Sequence, residues 1–175
     1  MLLIRILLVF TCLLSSTVVF AGEKTFFELG ARGGVNDNRN DEDFTVGEIY
    51  LLRDLPWRLP LSEGVSLRTR FDAGGTVLEA AGEHSALLAI GGDLFLPVQD
   101  GHLELEIGLR PAYMNNYKFG GNDFGGSIQF ASHAGMTLRW HNMSLSYRIQ
   151  HISNASLYDH NRGMNLHLVG LGGRF

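Results

Sequence analysis

The chain has 175 residues, 45% hydrophobic and 18% charged, with 14 Lys and Arg against 18 Asp and Glu for a formal net charge of −4. That balance argues against a nucleic-acid binder, for which a basic face is expected, and the length fits one domain. The single cysteine, Cys12, excludes a disulfide framework, and 22 glycines direct attention to the pattern rather than to the average composition.

Residues 1–21 carry one positive charge, Arg5, then an apolar run from Ile6 to Phe20, and close on Val19-Phe20-Ala21. This is the form of a secretory signal peptide cleaved after Ala21, with small residues at the two positions that guide cleavage. The run is shorter than the ~20 residues of a membrane-spanning helix and no stop-transfer charges follow. Removing residues 1–21 from the 175 leaves 154, without Cys12 and at a formal charge of −5.

From there the chain alternates almost throughout. Side chains two apart on a strand share a face. TFFELGARGG (25–34) sets Phe27, Leu29 and Ala31 against Glu28 and Arg32. FTVGEIYLLRD (44–54) alternates poorly but reads as a strand. VSLRTRFDAGGTV (65–77) opposes Val65, Phe71 and Val77 to Arg68, Arg70 and Asp72, and SALLAIGGDLFL (85–96) opposes Leu88 and Ile90 to Asp93. HLELEIGLR (102–110) divides completely, Leu103, Leu105, Ile107 and Leu109 against His102, Glu104, Glu106 and Arg110. SIQFASHAGMTLRW (127–140) sets Ile128, Met136, Leu138 and Trp140 against Gln129, His133 and Arg139. MSLSYRIQHIS (143–153) and MNLHLVGLGGRF (164–175) complete the set.

Eight strands and no helical period predict an all-β protein, an eight-stranded antiparallel transmembrane β-barrel over residues 22–175. A soluble barrel hides its apolar row, whereas a small membrane barrel turns it to lipid and encloses polar side chains. Closely spaced opposite charges on one face, with Lys24 and Lys118 the only lysines, predict the second. Glu28, Arg32, Arg68, Arg70, Asp72, Asp93, Glu104, Glu106, Arg110, Arg139 and Arg148 are then lumen packing rather than a site. Connections one, three, five and seven should be extracellular and longer; VNDNRNDED (35–43), YMNNYKFGGNDFGG (113–126) and NASLYDHNRG (154–163) fit. RDLPWRLPLSEG (53–64) does not, being too long for a periplasmic turn. The expected location is the bacterial outer membrane, and the terminal Phe175 is the aromatic end residue that the barrel-assembly machinery would handle.

The stretch His151–Asn165, HISNASLYDHNRGMN, holds the most suggestive chemistry. His151 and Ser153 continue the row Met143, Leu145, Tyr147, Ile149 at its extracellular end, so an imidazole and a hydroxyl share the lipid face. That pair is the minimum for a base-activated serine nucleophile. Polar groups on a lipid face cost least at the interface, where an acyl ester of lipid A, the outer-leaflet glycolipid, would meet them.

His151-Ile152-Ser153-Asn154-Ala155, with Asn161-Arg162-Gly163-Met164-Asn165 and a last strand ending Arg174-Phe175, resembles the signature of the PagL-type lipid A 3-O-deacylases. The resemblance covers the last 25 to 30 residues or so and implies an eight-stranded outer-membrane barrel with lipid-facing catalytic groups. It implies Ser153 as nucleophile and His151 as general base, with Asn154 and Asn161 shaping the oxyanion or substrate site. It departs at Asn165, where an orienting glutamate is expected. The Asn165 carbonyl can still accept the His151 N–H, and Asn165 shares the parity of Val169, Leu171 and Phe175, the row assigned to lipid.

The expected activity is that of an outer-membrane esterase removing the ester-linked 3-hydroxyacyl chain at position 3 of lipid A. The alternative is a non-enzymatic barrel with a structural, adhesive or membrane-stabilising role. Partners would be lipid A or lipopolysaccharide in the outer leaflet and the assembly machinery, with no nucleic acid and a homodimer left open. No cofactor is implied. The seven histidines lack close metal-ligand spacing such as HExxH, so no metal is expected, and Asp159-His160 reads as solvated loop.

Overall fold

The computed structural model describes residues 19–20, 26–37 and 42–175. The predicted signal peptide lies outside them except for Val19–Phe20, which pair with Arg58 and Trp57. Eight long strands follow: β1 (Phe27–Asn36), β2 (Thr45–Ser62), β3 (Val65–Ala80), β4 (Glu83–Val98), β5 (Leu103–Met114), β6 (Ile128–Trp140), β7 (Met143–Ser153) and β8 (Met164–Arg174). Each pairs antiparallel with its neighbour in sequence, and β8 pairs with β1 to close the barrel. Beyond the ladder, Phe27 and Phe175 exchange N–H···O bonds of 3.2 and 3.0 Å and their rings stack at 6.2 Å. The terminal aromatic thus fastens the closing seam.

The faces sort as the alternation predicts. Leu29, Ile49, Val77, Leu88, Ile90, Ile107, Leu109, Leu138, Leu145, Val169 and Leu171 are exposed, an apolar belt suited to hydrocarbon. Of the residues assigned to the lumen, all are buried except Arg68, which is half-buried. Inside, Arg148 donates to Asp72 at 2.9 Å and to Glu106 at 3.0 and 2.8 Å. Arg110 donates to Glu48 at 2.7 Å and Asp72 at 3.1 Å, and Arg70 to Glu104 and Glu106 at 3.1 and 2.6 Å. A guanidinium presents five donors in a fixed fork, so one arginine ties several strands together.

Three features depart from the expectation. The stretch 53–64 is not a loop: β2 runs on to Ser62 and turns at Glu63–Gly64 into β3. It pairs with β1 as far as Arg53 and with Val19–Phe20 at Trp57–Arg58, and Pro56 and Pro60 coincide with register shifts against β3 between Asp54 and Arg58 and between Pro60 and Ser62. The third connection, expected to be long, is the two-residue turn Ala81–Gly82. The interior is also not polar to its top. At the extracellular end Phe44, Val46, Leu78, Leu87, Met114, Ile152, Leu166 and Leu168 form an apolar core, closed by Phe119 and Phe124, whose rings meet Phe44 edge-on at 5.1 and 5.9 Å.

Candidate active site

At the extracellular rim the register lines polar groups up across the outside of the barrel. His151 of β7 lies opposite Asn165 of β8 on one side and Ser132 of β6 on the other. Leu166 lies opposite Asn36 at the end of β1, so the next residue along, Asp37, falls beside Asn165. Their neighbours Ile152, Leu166 and Asn36 point inward and are buried, which holds the three backbones against the apolar core. The row is therefore fixed by sheet geometry rather than by a flexible loop.

The groups are bonded in series. His151 Nδ1 lies 2.8 Å from Asn165 Oδ1. An amide oxygen is only an acceptor, so the ring carries its proton on Nδ1 and presents Nε2 as the free acceptor. The other end of the Asn165 amide donates from Nδ2 to Asp37 Oδ2 at 3.0 Å, and the Asp37 backbone N–H donates to the Asn165 carbonyl at 3.0 Å. Asp37 thereby settles which way the amide points.

Ser153, half-buried, is the last residue of β7, two positions beyond His151 on the same face. Gly163 connects the two. A Cβ built there would fall 2.9 Å from His151 Cε1 and 3.1 Å from Ser153 Cβ. The imidazole edge and the serine therefore border one small space, which only glycine leaves open.

The two asparagines separate by role. Asn154 is fully buried; its Nδ2 donates to the Phe124 carbonyl at 2.8 Å and the His160 carbonyl at 2.6 Å. Both amide hydrogens are spent tying the fifth and seventh connections together. Its backbone N–H donates to Asn161 Oδ1 at 3.1 Å, which leaves the exposed Asn161 amide with its NH2 end as donor. Immediately after Asn154, Ala155 and Ser156 have φ of 51° and 65°, and Leu157 N–H donates back to the Asn154 carbonyl at 3.0 Å. This is a type I′ turn made without glycine, and such local strain gathers at functional sites.

Beside Asn161 opens a polar depression of about 470 Å³ lined by Gly121, Asp123, Asp159, His160, Asn161 and Arg162. The Gly125 N–H and the Lys118 ammonium hold the Asp123 carboxyl below the usual range. Asp159 and His160, expected as solvated loop, line this depression and are exposed.

Among the described residues one further cluster has metal-ligand types, Asp72, Asp93 and His133, with donor atoms within 4.8 Å of one another in the lumen. Arg148 and Arg110 lie 2.9 and 3.1 Å from Asp72, and Arg70 lies 3.6 Å from Asp93. A dication would have to displace three guanidiniums, so the donor set serves ion pairing. Sequence reasoning missed Asp37, Ser132 and Gly163. The outward parity of Ser132 was readable, whereas Asp37 stands in a connection whose partner lies 128 positions away.

Fold and site together define an eight-stranded outer-membrane barrel that carries a hydrogen-bonded histidine on its outward face. The lipid A 3-O-deacylase (PagL) family model matches residues 27–174. The chain belongs to that family and is on that classification an outer-membrane hydrolase. The crystal structure of the outer membrane enzyme PagL is similar at 23% identity and a TM-score of 0.67, over 83% of this chain and 97% of that one. The backbone structure of the Yersinia pestis outer membrane protein Ail in a phospholipid bilayer nanodisc is similar at 13% identity and a TM-score of 0.51, over 86% of this chain and 98% of that one. These two likenesses concern the fold. No curated protein matches by sequence comparison.

Proposed function

We propose that this barrel hydrolyses the ester-linked 3-hydroxyacyl chain at position 3 of lipid A, with Ser153 as nucleophile, His151 as general base and Asn165 orienting the imidazole. The observation that carries it is the 2.8 Å approach of His151 Nδ1 to Asn165 Oδ1 on the outward face. An imidazole bonded to an amide acceptor, two residues from a hydroxyl on the same face, has the parts a base-activated nucleophile needs.

Ser153 Oγ attacks the ester carbonyl while His151 Nε2 takes its proton. The tetrahedral intermediate collapses, the sugar 3-oxygen leaves with the proton His151 returns, and the acyl group stays on Ser153. Water, deprotonated by the same imidazole, then releases the 3-hydroxy fatty acid. Asn161 Nδ2 is the donor for the oxyanion, aimed by the bond its Oδ1 accepts from Asn154. Asn154 acts behind it by holding the two connections together, and the adjoining depression is polar and of a size to take a sugar headgroup.

The test is mass spectrometry of lipid A after incubation with the purified barrel in detergent. Loss of one 3-hydroxyacyl chain is expected from the wild-type protein, and Ser153→Ala or His151→Ala should lower the rate by at least about 10³-fold, because residues that act as a unit fail together. Ser132→Ala is the control, since Ser132 also adjoins His151; it should keep the rate. A Ser153→Ala protein that deacylates as fast as wild type would overturn the mechanism, and a dead Ser132→Ala beside it would move the nucleophile to β6.

A further inference from the structure

The outward row does not stop at Asn165, and what lies behind it addresses what an amide lacks in that position. An asparagine in place of a triad acid carries two handicaps. It can present its NH2 end and hold the wrong tautomer, and it has no charge to stabilise the imidazolium formed as the serine attacks. In serine proteases the same exchange lowers turnover by roughly 10⁴-fold, largely through the tautomer.

We infer that Asp37 is the positioning residue that removes both handicaps: it holds the NH2 end of Asn165 so that the carbonyl faces His151, and it supplies the negative charge at one remove. This rests on the Ser153–His151 reading above. Asp37 Oδ2 accepts from Asn165 Nδ2 at 3.0 Å while Asn165 Oδ1 faces His151 Nδ1 at 2.8 Å. A flip of the amide would set its carbonyl oxygen against the Asp37 carboxylate, acceptor on acceptor, so the observed orientation is preferred. The carboxylate also polarises the amide along its length, strengthening the carbonyl as acceptor for the imidazolium; hydrogen bonds in series reinforce one another in this way.

Asp37 is itself built in. The preceding Asn36 is buried and clasps the connection behind it, its Nδ2 donating to the Glu42 carbonyl at 3.0 Å and its Oδ1 accepting from Phe44 N–H at 2.8 Å. The Asp37 N–H bonds the Asn165 carbonyl. These bonds hold the Asp37 backbone in place whether or not its side chain is intact, so its substitution should leave the barrel standing.

The experiment uses the full barrel in detergent, with kcat and KM on lipid A and the His151 tautomer read by imidazole ¹⁵N NMR. Asp37→Asn keeps an acceptor but loses the charge, and should lower kcat by about 10-fold; Asp37→Ala loses both and should lower it by about 100-fold with a mixture of tautomers, KM changing little. Asn165→Asp alone sets two carboxylates about 3 Å apart and should also be slow. The swap Asp37→Asn with Asn165→Asp restores one donor, one acceptor and one charge, and should recover kcat to within about 3-fold of wild type. A merely structural role for Asp37 predicts no such recovery. An Asp37→Ala protein with wild-type kcat and a pure Nδ1–H tautomer, or a swap no faster than either single variant, overturns the inference. If the wild-type barrel leaves lipid A intact, the function above fails instead, and the tautomer in Asp37→Ala still decides the role of Asp37.

Discussion

Two histidines in this barrel each pair with a partner of the kind enzymes use, and they differ in everything that turns a pair into a site. His133 lies 3.2 Å from Asp93, both side chains fully buried in the lumen. His151 has only an amide for a partner and is exposed at the rim. By residue type the first is the better dyad. Yet Asp93 is also shared with Arg70 at 3.6 Å and Arg148 at 3.8 Å, so its charge is already engaged. A Cβ at Gly108 would clash with the Asp93 carboxylate and the His133 ring, so the barrel wall presses directly on the pair. An ester cannot reach it. His151 has a hydroxyl two residues away, open lipid in front and an orienting chain behind. Access and a neighbouring hydroxyl distinguish the two, while strength of the acid partner does not.

The largest effect expected on this contrast is in the lumen and on stability. Arg148→Ala removes a guanidinium from both Asp72 and Glu106, leaving Arg110 for the first and Arg70 for the second. Breaking one partner of a buried ion pair costs about 3–5 kcal/mol. The temperature at which the folded, faster-migrating form disappears on unheated gels should drop sharply, while molecules that remain folded deacylate at the wild-type rate. A fall in rate per folded molecule would mean that the lumen is coupled to the rim chemistry.

Gly163→Ala is the reverse case, local and catalytic. The added methyl would fall 2.9 Å from His151 Cε1, 3.0 Å from the Ile152 carbonyl oxygen and 3.1 Å from Ser153 Cβ, and it would wedge the proposed nucleophile and base apart. Misplacing reacting groups by about 1 Å can cost on the order of 10²-fold; a few tenths of that should lower kcat by about 10-fold, with only a small fall in the unfolding temperature from the contact with the Ile152 carbonyl. An unaffected kcat would show that the two groups do not meet above Gly163.

The same contrast explains what could be read from the chain in advance. The strands were legible because a barrel wall one residue thick forces strict alternation: Leu103 to Arg110 cannot be read another way. His151 and Ser153 were legible because a polar pair on an apolar row stands out. The extension of β2 was not, since Pro56 and Pro60 signal a break and only the register shifts beside them in the pairing with β3 let the strand run on. The apolar top of the interior was hidden too: Leu87 and Ala89 share the parity of Asp93, and Ile152 that of Gln150, so a face taken as polar changes character along its length. Asp37 lay beyond any local pattern, because the β1–β8 closure that brings it to Asn165 joins opposite ends of the chain. That closure also revises the view of Asn165. From sequence a glutamate there should keep or raise activity, but beside Asp37 a second carboxylate is a repulsion unless Asp37 is changed with it.

The smallest expected effect concerns the turn that leaves the site. At the tight turns away from it, Ala81–Gly82 and Asp100–Gly101, a non-glycine residue with positive φ is followed by glycine at 75° and 85°. After Ser153 the same geometry falls on Ala155 and Ser156, neither of which adopts it readily. The turn persists because Leu157 N–H bonds the Asn154 carbonyl and because Asn154 is pinned to Phe124 and His160. Ser156→Gly should therefore relieve strain without changing geometry. Stability should rise by no more than about 1 kcal/mol, the gain being offset in part by the greater freedom of glycine in the unfolded chain, and the deacylation rate should stay within about 2-fold. Thermal unfolding and turnover measured on one preparation decide it. A more stable protein with an unchanged rate means that the strain is a by-product of the short path from Ser153 to Asn161. A rate that falls several-fold while stability rises would show that the strained turn presses Ser153 toward His151, and that the rim, unlike the lumen, trades stability for chemistry.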